Sequence, residues 1–217
     1  MQIYQKRFIT WILIGGTRMN NFKINPEIKK YIKLQRPGYG EVDFSRRYYT
    51  NVSHDYNIIR MYLPDTCNSV LDIGCGIGGI DIMLYNHYKE KPFLNMYDYA
   101  ETSDKIYYGY WETAAVYNSL EATADFLKLN GVDRKDFETY DAHGAFIEQD
   151  YDIIISLIAM GFHFSVETYL QQIKKCNPKV VILDIRKDTN QIDLLKDNFA
   201  EVEPIMDWER GARYILK

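Results

Sequence analysis

Short apolar segments alternate with amphipathic segments along the chain from about residue 69 onward. Five apolar runs have the length of buried strands, and they occupy residues 69–73, 93–97, 137–140, 151–157 and 180–183. Between and after them, apolar residues recur at helical spacing around Ile80, Leu120, Leu170 and Leu195. This alternation predicts a mostly parallel sheet with helices on both faces, because parallel neighbours need a connection of helix length.

Both ends of the chain add elements to this pattern. Two strand-like runs, around residues 202–205 and 212–216, are joined by a loop with Gly211 near its end, which predicts an antiparallel hairpin. Asn25 and Pro26 are typical of a helix start, and a helix to about Gln35 precedes a second one within residues 42–63. The predicted fold class is α/β: a doubly wound, Rossmann-like, mostly parallel seven-stranded sheet with a terminal antiparallel hairpin, plus N-terminal helices.

The first residues of the chain stand apart from this pattern. Lys6 and Arg7 precede an apolar run of about seven residues, which is far too short to span a bilayer and lacks a signal-cleavage motif. We expect residues 1–18 to be a disordered extension, residues 19–66 a helical cap, and residues 67–217 the main domain. No other segment has the length and apolarity of a membrane span, so we expect no membrane partner. The three widely spaced cysteines described below indicate a reducing compartment, and we expect a cytoplasmic protein.

Composition and charge narrow the function classes. The net charge of −4 disfavours a nucleic-acid partner, because phosphate binding usually needs a basic face. Cys67, Cys75 and Cys176 are odd in number and far apart, so neither a disulfide framework nor a zinc site is indicated. No other cluster of metal-ligand residue types stands out, and we expect no bound metal.

The segment 70–79, VLDIGCGIGG, is the strongest candidate for chemistry. It lies where the first predicted strand turns into a helix. Glycines suit such a turn, because the backbone must bend sharply and approach a ligand without a Cβ in the way. The N–H groups of the following helix would favour a carboxylate or a pyrophosphate equally.

This segment resembles motif I of the class I S-adenosylmethionine (SAM)-dependent methyltransferases, in which an acidic residue precedes G-x-G-x-G. The resemblance covers roughly residues 66–217, by element order and by further motifs. It implies SAM as cofactor, with Asp72 holding the amino group of the methionine moiety. It also implies that the glycine loop approaches the cofactor through Gly74, Cys75, Gly76 and Gly78.

Three further segments continue the resemblance. Asp98 ends the second predicted strand, where an acidic residue accepts hydrogen bonds from both ribose hydroxyls, and Tyr99 beside it could pack on the ribose or adenine. Asp141 and Ala142 resemble the element that receives adenine, although a loop aspartate that caps a turn fits equally. Ser156 belongs to the fourth motif, in which a strand leads to the mouth of the active site.

Two alternatives remain open at the level of sequence. The glycines also fit the G-x-G-x-x-G pattern of an NAD-dependent oxidoreductase. Asp72 argues against it, because a carboxylate at that position would repel the phosphates of a dinucleotide, whereas it would attract an ammonium group. A protein of this fold that binds SAM without catalysis is the second alternative.

The candidate residues for transfer lie after the fourth strand. Residues 158–164 read as an apolar, aromatic loop carrying His163, which could act as a general base or could only shape the pocket. Phe162, Tyr48 and Tyr49 are candidate substrate contacts. We expect a hydroxyl or amine on a small polar or sugar-like acceptor; the tetrapeptides typical of base-amino methylation and the Pro-Cys nucleophile of cytosine methylation are absent.

Overall fold

The chain folds around a twisted sheet that positions most of the candidate site residues, while Tyr48 and Tyr49 lie on a helix packed against it. The structure is a computed structural model, and it describes residues 21–36, 38–39, 43–100, 109–110 and 118–217. The strands are β1 (Ser69–Ile73), β2 (Phe93–Asp98), β3 (Phe137–Asp141), β4 (Ile153–Ser156), β5 (Ala159–Phe164), β6 (Val180–Arg186), β7 (Val202–Trp208) and β8 (Gly211–Leu216). The α-helices are α1 (Pro26–Gln35), α2 (Phe44–Ile59), α3 (Gly79–His87), α4 (Leu120–Leu129), α5 (Leu170–Lys175) and α6 (Gln191–Asn198).

The sheet has seven strands in the order β3-β2-β1-β4-β6-β8-β7. The first five pair in parallel, and β8 is antiparallel to both β6 and β7. Strand β1 lies between β2 and β4. The chain adds β2 and β3 on one side of β1 and then crosses to the other side for β4, so the strand order reverses at β1. The predicted doubly wound sheet and its antiparallel hairpin are confirmed.

Apolar residues of the central strands face two separate layers of the core. Val70 packs into the layer that contains α1 to α4, whereas its neighbour Leu71 packs into the layer that contains α5 and α6. Both residues are at most 1% exposed. Burial on both faces explains why the strands appear in the sequence as continuous apolar runs rather than alternating ones.

The N-terminal helices share the core of the main domain. The Asn25 side chain accepts a hydrogen bond from the backbone N–H of Ile28 at 2.8 Å, which caps α1, and Pro26 occupies its first position. Ile28 and Ile32 are fully buried, and α1 packs against α4 while α2 packs against α3. The predicted extension over residues 1–18 lies outside the described residues. Among the described helices, none combines the length and apolarity needed to cross a membrane.

The segment after β4 differs from the prediction, because the expected loop over residues 158–164 is mostly strand β5. Ile158 adopts a left-handed conformation, with φ of 54°, and this turn separates β4 from β5. The Ser156 hydroxyl stabilises the turn by donating to Ile73 O at 2.6 Å and accepting from Met160 N at 2.9 Å. The aromatic content of residues 158–164 indicates a pocket loop; in the structure residues 159–164 form β5, which packs beside β6 and also lines the cavity described below.

Strand β7 forms one edge of the sheet and is irregular. Its register with β8 shifts between Pro204 and Met206, which marks a β-bulge. Glu203 and Pro204 are exposed.

Candidate active site

A cavity of about 290 Å³ opens at the carboxyl ends of β1, β2 and β4. Its walls also include the end of α1, the middle of α2 and strand β5. Ten of the residues predicted to hold cofactor or substrate line it: Tyr48, Asp72, Gly74, Cys75, Gly76, Asp98, Tyr99, Ala142, Phe162 and His163. The position agrees with the rule that open α/β sheets bind ligands where the strand order reverses.

The glycine loop takes backbone conformations that other residues rarely adopt. Gly74, Gly76 and Gly78 have φ angles of 75°, 54° and 80°. A Cβ on Gly74 would lie 2.3 Å from the Cβ of Ala159. Gly74 also donates its backbone N–H to Tyr97 O at 2.7 Å, which fixes the turn against β2. The loop therefore needs glycine for both backbone conformation and space.

Asp72, at the end of β1, is buried in the wall of the cavity. It is 3% exposed, and within the described part of the chain its Oδ1 atom meets no N–H or O–H donor. Its neighbour is the carboxyl group of Asp81 in the first turn of α3, which is fully buried. Burial, the negative charge and hydrogen bond of Asp81, and the charge of Asp98 all raise the pKa of Asp72 well above its ordinary value.

Asp98, at the end of β2, is held in place by three hydrogen bonds. Its Oδ2 accepts from Gly76 N at 2.7 Å and from Asn118 Nδ2 at 3.0 Å, and its Oδ1 accepts from Tyr99 N at 2.7 Å. Burial raises the pKa of Asp98 to about 6, although these three bonds oppose the shift. Each carboxylate oxygen can accept two hydrogen bonds, so Oδ2 is fully used and Oδ1 keeps one unused lone pair.

Sequence reasoning missed the residues that brace the glycine loop from α4 and α1. The Gly76 carbonyl accepts from Asn118 Nδ2 at 2.9 Å and from the Thr123 hydroxyl at 2.7 Å. Asn118 is 2% exposed and accepts a bond from Gln35 Nε2 at 3.5 Å. Asn118 directly precedes Ser119, the N-cap of α4. Its place just before a helix start is the one feature of the sequence that could have indicated a role in the site.

His163 lies on β5 with its ring in the cavity wall. Its Nδ1 contacts the carbonyl oxygen of Gly109 at 2.9 Å, so Nδ1 carries the proton and Nε2 keeps its lone pair. Burial lowers the pKa of His163, and the charges of Arg186 and Arg36 lower it further, while the Gly109 bond opposes them. The ring is 7% exposed and neutral at physiological pH.

Four of the predicted site residues do not line this cavity. Ser156 is fully buried, and its hydroxyl bonds to the backbone of Ile73 and Met160. Asp141 is exposed, and its Oδ1 accepts from His143 N at 3.0 Å, as a turn-capping aspartate does. A Cβ on Gly78 would face Met96 and α4, and Tyr49 contacts the ring of Phe22. For Ser156 and Asp141, the apparent motif positions are explained by local turn geometry.

Two charged residues of the N-terminal helices also line the cavity. Asp55 of α2 accepts a hydrogen bond from Arg213 Nη1 at 3.0 Å, and the rest of that guanidinium is paired with Asp184. Arg36, at the end of α1, is the one lysine or arginine among the described residues of the cavity wall. These residues extend the site beyond the sheet.

Comparison with solved structures relates this fold to methyltransferases. A Nostoc punctiforme protein with a provisional O-methyltransferase assignment matches at a TM-score of 0.55 and 15% identity, over 78% of this chain and 56% of that chain. Magnesium protoporphyrin IX methyltransferase from Synechocystis, solved with bound SAM, matches at 0.50 and 16%, over 88% and 89%. The Thermus thermophilus 16S rRNA N2 G1207 methyltransferase, solved with AdoMet and guanosine, matches at 0.51 and 12%, over 82% and 44%.

These likenesses show the fold, because the sequence identities are low. The chain spans little more than half of the Nostoc protein and less than half of the Thermus enzyme. No protein-family model and no curated protein matches the sequence. The fold is the Rossmann-like one of SAM-dependent methyltransferases, and the chemistry must be argued from the site.

Proposed function

We propose that this protein is a SAM-dependent methyltransferase that transfers a methyl group to a hydroxyl or amine of a small polar acceptor. One observation carries the proposal: a buried acidic group, Asp72, lies in the cavity wall beside a left-handed glycine turn, and its Oδ1 meets no donor among the described residues. Burial and the neighbouring carboxyl of Asp81 make ionisation of Asp72 costly, and a cationic amino group is the partner that would stabilise the ionised form.

The chemistry of the cavity wall fits each part of SAM. Asp72 would hold the ammonium of the methionine moiety, and Asp98 Oδ1 would accept a hydrogen bond from a ribose hydroxyl. Gly74 and Gly76 leave room for close approach, while Tyr99 and Ala142 would pack around the adenine. The ring of Tyr99 lies 4.7 Å from that of His143 and at 61° to it, so these two rings pack together where the adenine is proposed to bind.

The same wall argues against a dinucleotide. Asp72 and Asp98 both line the cavity, and Asp81 lies buried directly behind Asp72. Pyrophosphate groups in this position would meet like charge in a region of low dielectric constant, where repulsion is strong. The electrostatics of the loop therefore favour SAM over NAD.

His163 is the proposed general base. The neutral ring keeps Nε2 free to take a proton from an acceptor hydroxyl or amine as it attacks. Bound SAM would supply the electrophilic methyl group, and the protein would orient the acceptor and exclude water. Phe162 contributes an aromatic surface beside His163, at 5.4 Å between ring centroids.

The acceptor is proposed from the size and lining of the site. The cavity lies between α1, α2 and β5. Arg36 is the one lysine or arginine on the described part of its wall, so the cavity offers little basic surface to a polynucleotide. Tyr48 and Asp55 of α2 offer one hydroxyl and one carboxylate to a polar molecule. The acceptors named for the structural neighbours range from a porphyrin to ribosomal RNA, so fold likeness alone selects none.

Equilibrium binding of SAM and NAD to the purified protein, measured side by side, tests the cofactor. We expect SAM and S-adenosylhomocysteine to bind and NAD not to bind. Retention of NAD without SAM would replace the proposal by an oxidoreductase. A screen of small hydroxyl and amine acceptors for S-adenosylhomocysteine production then tests catalysis; SAM binding without turnover on any acceptor would favour a non-catalytic binding protein.

A further inference from the structure

Asp81 is a buried acidic residue that sequence reasoning did not assign to the site. It is the third residue of α3, it is fully buried, and it does not line the cavity. No other residue in the described part of the chain donates an N–H to either of its carboxyl oxygens, and its own backbone N–H is the one amide that acts on them. The group that it does contact is the carboxyl of Asp72, which is in the cavity wall.

Two carboxyl groups in contact, away from water and without donors from other residues, cannot both be ionised. One proton therefore lies between Asp72 and Asp81, and the pair carries one negative charge near neutral pH. Burial raises the pKa of Asp81 to about 6 and raises that of Asp72 further. In the free protein the proton is therefore bonded to Asp72, and the Asp72 O–H donates a hydrogen bond to Asp81.

Among the described residues, the other charged and titratable groups around the pair do not supply a cation to it. Asp98 on β2 adds negative charge, and the Cys75 thiol in the glycine loop and the Tyr48 hydroxyl on α2 are neutral, because burial raises the pKa of each. Arg36 acts electrostatically on Tyr48 and on His163. The described part of the chain therefore leaves the pair open to a cation from a ligand.

We infer that Asp81 is a positioning residue for the cofactor: it takes over the shared proton when a ligand ammonium reaches Asp72. Asp81 then acts as a neutral acid that donates a hydrogen bond to one oxygen of Asp72. The other oxygen of Asp72 is left, oriented and ionised, for the ammonium group. No bond other than O–H is made or broken, because the proton moves from one carboxyl to the other. The inference rests on the proposed binding of SAM.

Two substitutions at the same position separate this role from simple filling of space. Asp81→Asn keeps a donor to Asp72, because its side-chain N–H replaces the acid O–H. Asp81→Leu keeps the branched side-chain skeleton, although it is larger, and it has no donor for Asp72. Both variants are to be measured for binding of S-adenosylhomocysteine and of its desamino analogue, in which hydrogen replaces the amino group.

We expect Asp81→Asn to bind S-adenosylhomocysteine within about threefold of the wild-type protein, and Asp81→Leu to bind at least about tenfold more weakly, as loss of a hydrogen bond to a charged group predicts. The desamino analogue should bind both variants equally. The urea midpoint of ligand-free Asp81→Leu should rise above that of wild type, more at pH 7 than at pH 5, because the wild-type penalty grows as the pH rises through the pKa of Asp81. A space-filling role predicts instead that Leu binds as well as Asn.

The wild-type protein gives a second test that needs no variant. The ratio of its affinities for S-adenosylhomocysteine and for the desamino analogue should rise with pH, by at most about tenfold per unit, and level off above about pH 6. The ratio cancels any effect of Asp98, which would contact the ribose of both compounds. A flat ratio, or equal binding by the Asn and Leu variants, overturns the inference and leaves the proposed function intact. Failure of the wild-type protein to bind S-adenosylhomocysteine at any pH overturns both.

Discussion

Arg213 and Asp184 form a bidentate ion pair in the core between β8 and β6. The two bonds measure 2.6 Å from Nε to Oδ1 and 2.9 Å from Nη2 to Oδ2, and the side chains are 2% and 0% exposed. The third guanidinium nitrogen reaches Asp55 of α2. One arginine thus links the terminal hairpin, the centre of the sheet and the N-terminal helices, and it fixes a carboxylate of the cavity wall.

Substitution of this arginine should destabilise the protein strongly. Arg213→Met leaves Asp184 buried without a counter-charge, and we expect the free energy of unfolding at pH 7 to fall by about 3–5 kcal/mol. The loss should shrink as the pH is lowered, because burial already raises the pKa of Asp184 and protonation would remove the unpaired charge. Urea denaturation at pH 7 and pH 5 measures both effects.

The double variant Arg213→Met/Asp184→Leu is the matched control. It removes both charges, so most of the lost stability should return. If the double variant is as unstable as the single one, the arginine contributes mainly through packing.

Gly74 should tolerate no side chain. Gly74→Ala places a side chain on a left-handed backbone, with φ of +75°. Its Cβ would also lie 2.3 Å from the Cβ of Ala159, so β5 must move away from β1. We expect it to lower the free energy of unfolding by about 3 kcal/mol or more, and to weaken cofactor binding as well. Gly131→Ala is the control: its φ is +90° but nothing lies within 4 Å of the added Cβ, so only the backbone cost of about 1–2 kcal/mol applies. Equal losses in the two variants would refute the steric argument.

Asp98 should matter for cofactor affinity in two ways. Asp98→Ala is expected to weaken binding of S-adenosylhomocysteine by about 1–3 kcal/mol, because a hydrogen bond from a ribose hydroxyl to a charged acceptor is lost. In the wild-type protein, affinity should fall as the pH drops through about 6, where the Asp98 carboxylate takes up a proton. Isothermal titration calorimetry measures both. Asp125→Ala, an exposed residue on α4, is the control; an equal effect there, or none at Asp98, would remove Asp98 from the site.

His163 should affect transfer more than binding. With an acceptor identified by the screen, His163→Ala should reduce the turnover rate by about 100-fold or more and leave cofactor affinity near wild type. Because the pKa of His163 is lowered from 6.5, its ring stays neutral below that value, and the wild-type rate should decline only at more acidic pH. Rate measurements from pH 5 to pH 8 test this; unchanged turnover in the variant would assign His163 a shaping role.

Sequence patterns predicted the succession of strands and helices and the type of sheet well, because buried parallel strands leave a signal within a few residues. The segment 70–79 shows both the strand and the turn, since its glycines are required by local backbone geometry. The position of His163 near the cavity also followed from topology. Its placement on a strand did not, because the aromatic content of residues 159–164 reads as either a pocket loop or a buried strand.

Contacts between distant residues were beyond the reach of the sequence. Arg213 and Asp55 are separated by 158 positions, and Asp81 reads as an ordinary acidic residue in the first turn of a helix. Ser156 and Asp141 occupy motif positions, but hydrogen bonds to Ile73 and His143 hold them away from the cavity. Motif position indicates which edge of the sheet a residue occupies, whereas side-chain direction depends on partners elsewhere in the fold.

The irregular edge at β7 has a consequence for how copies of the protein behave together. A flat, regular edge strand offers a row of unpaired N–H and C=O groups to which another chain can add. Pro204 lacks an N–H, Glu203 presents a charge, and the bulge interrupts the spacing of the remaining groups. A second molecule therefore finds no continuous row of donors and acceptors along this strand, which protects the protein against growth of its sheet by aggregation.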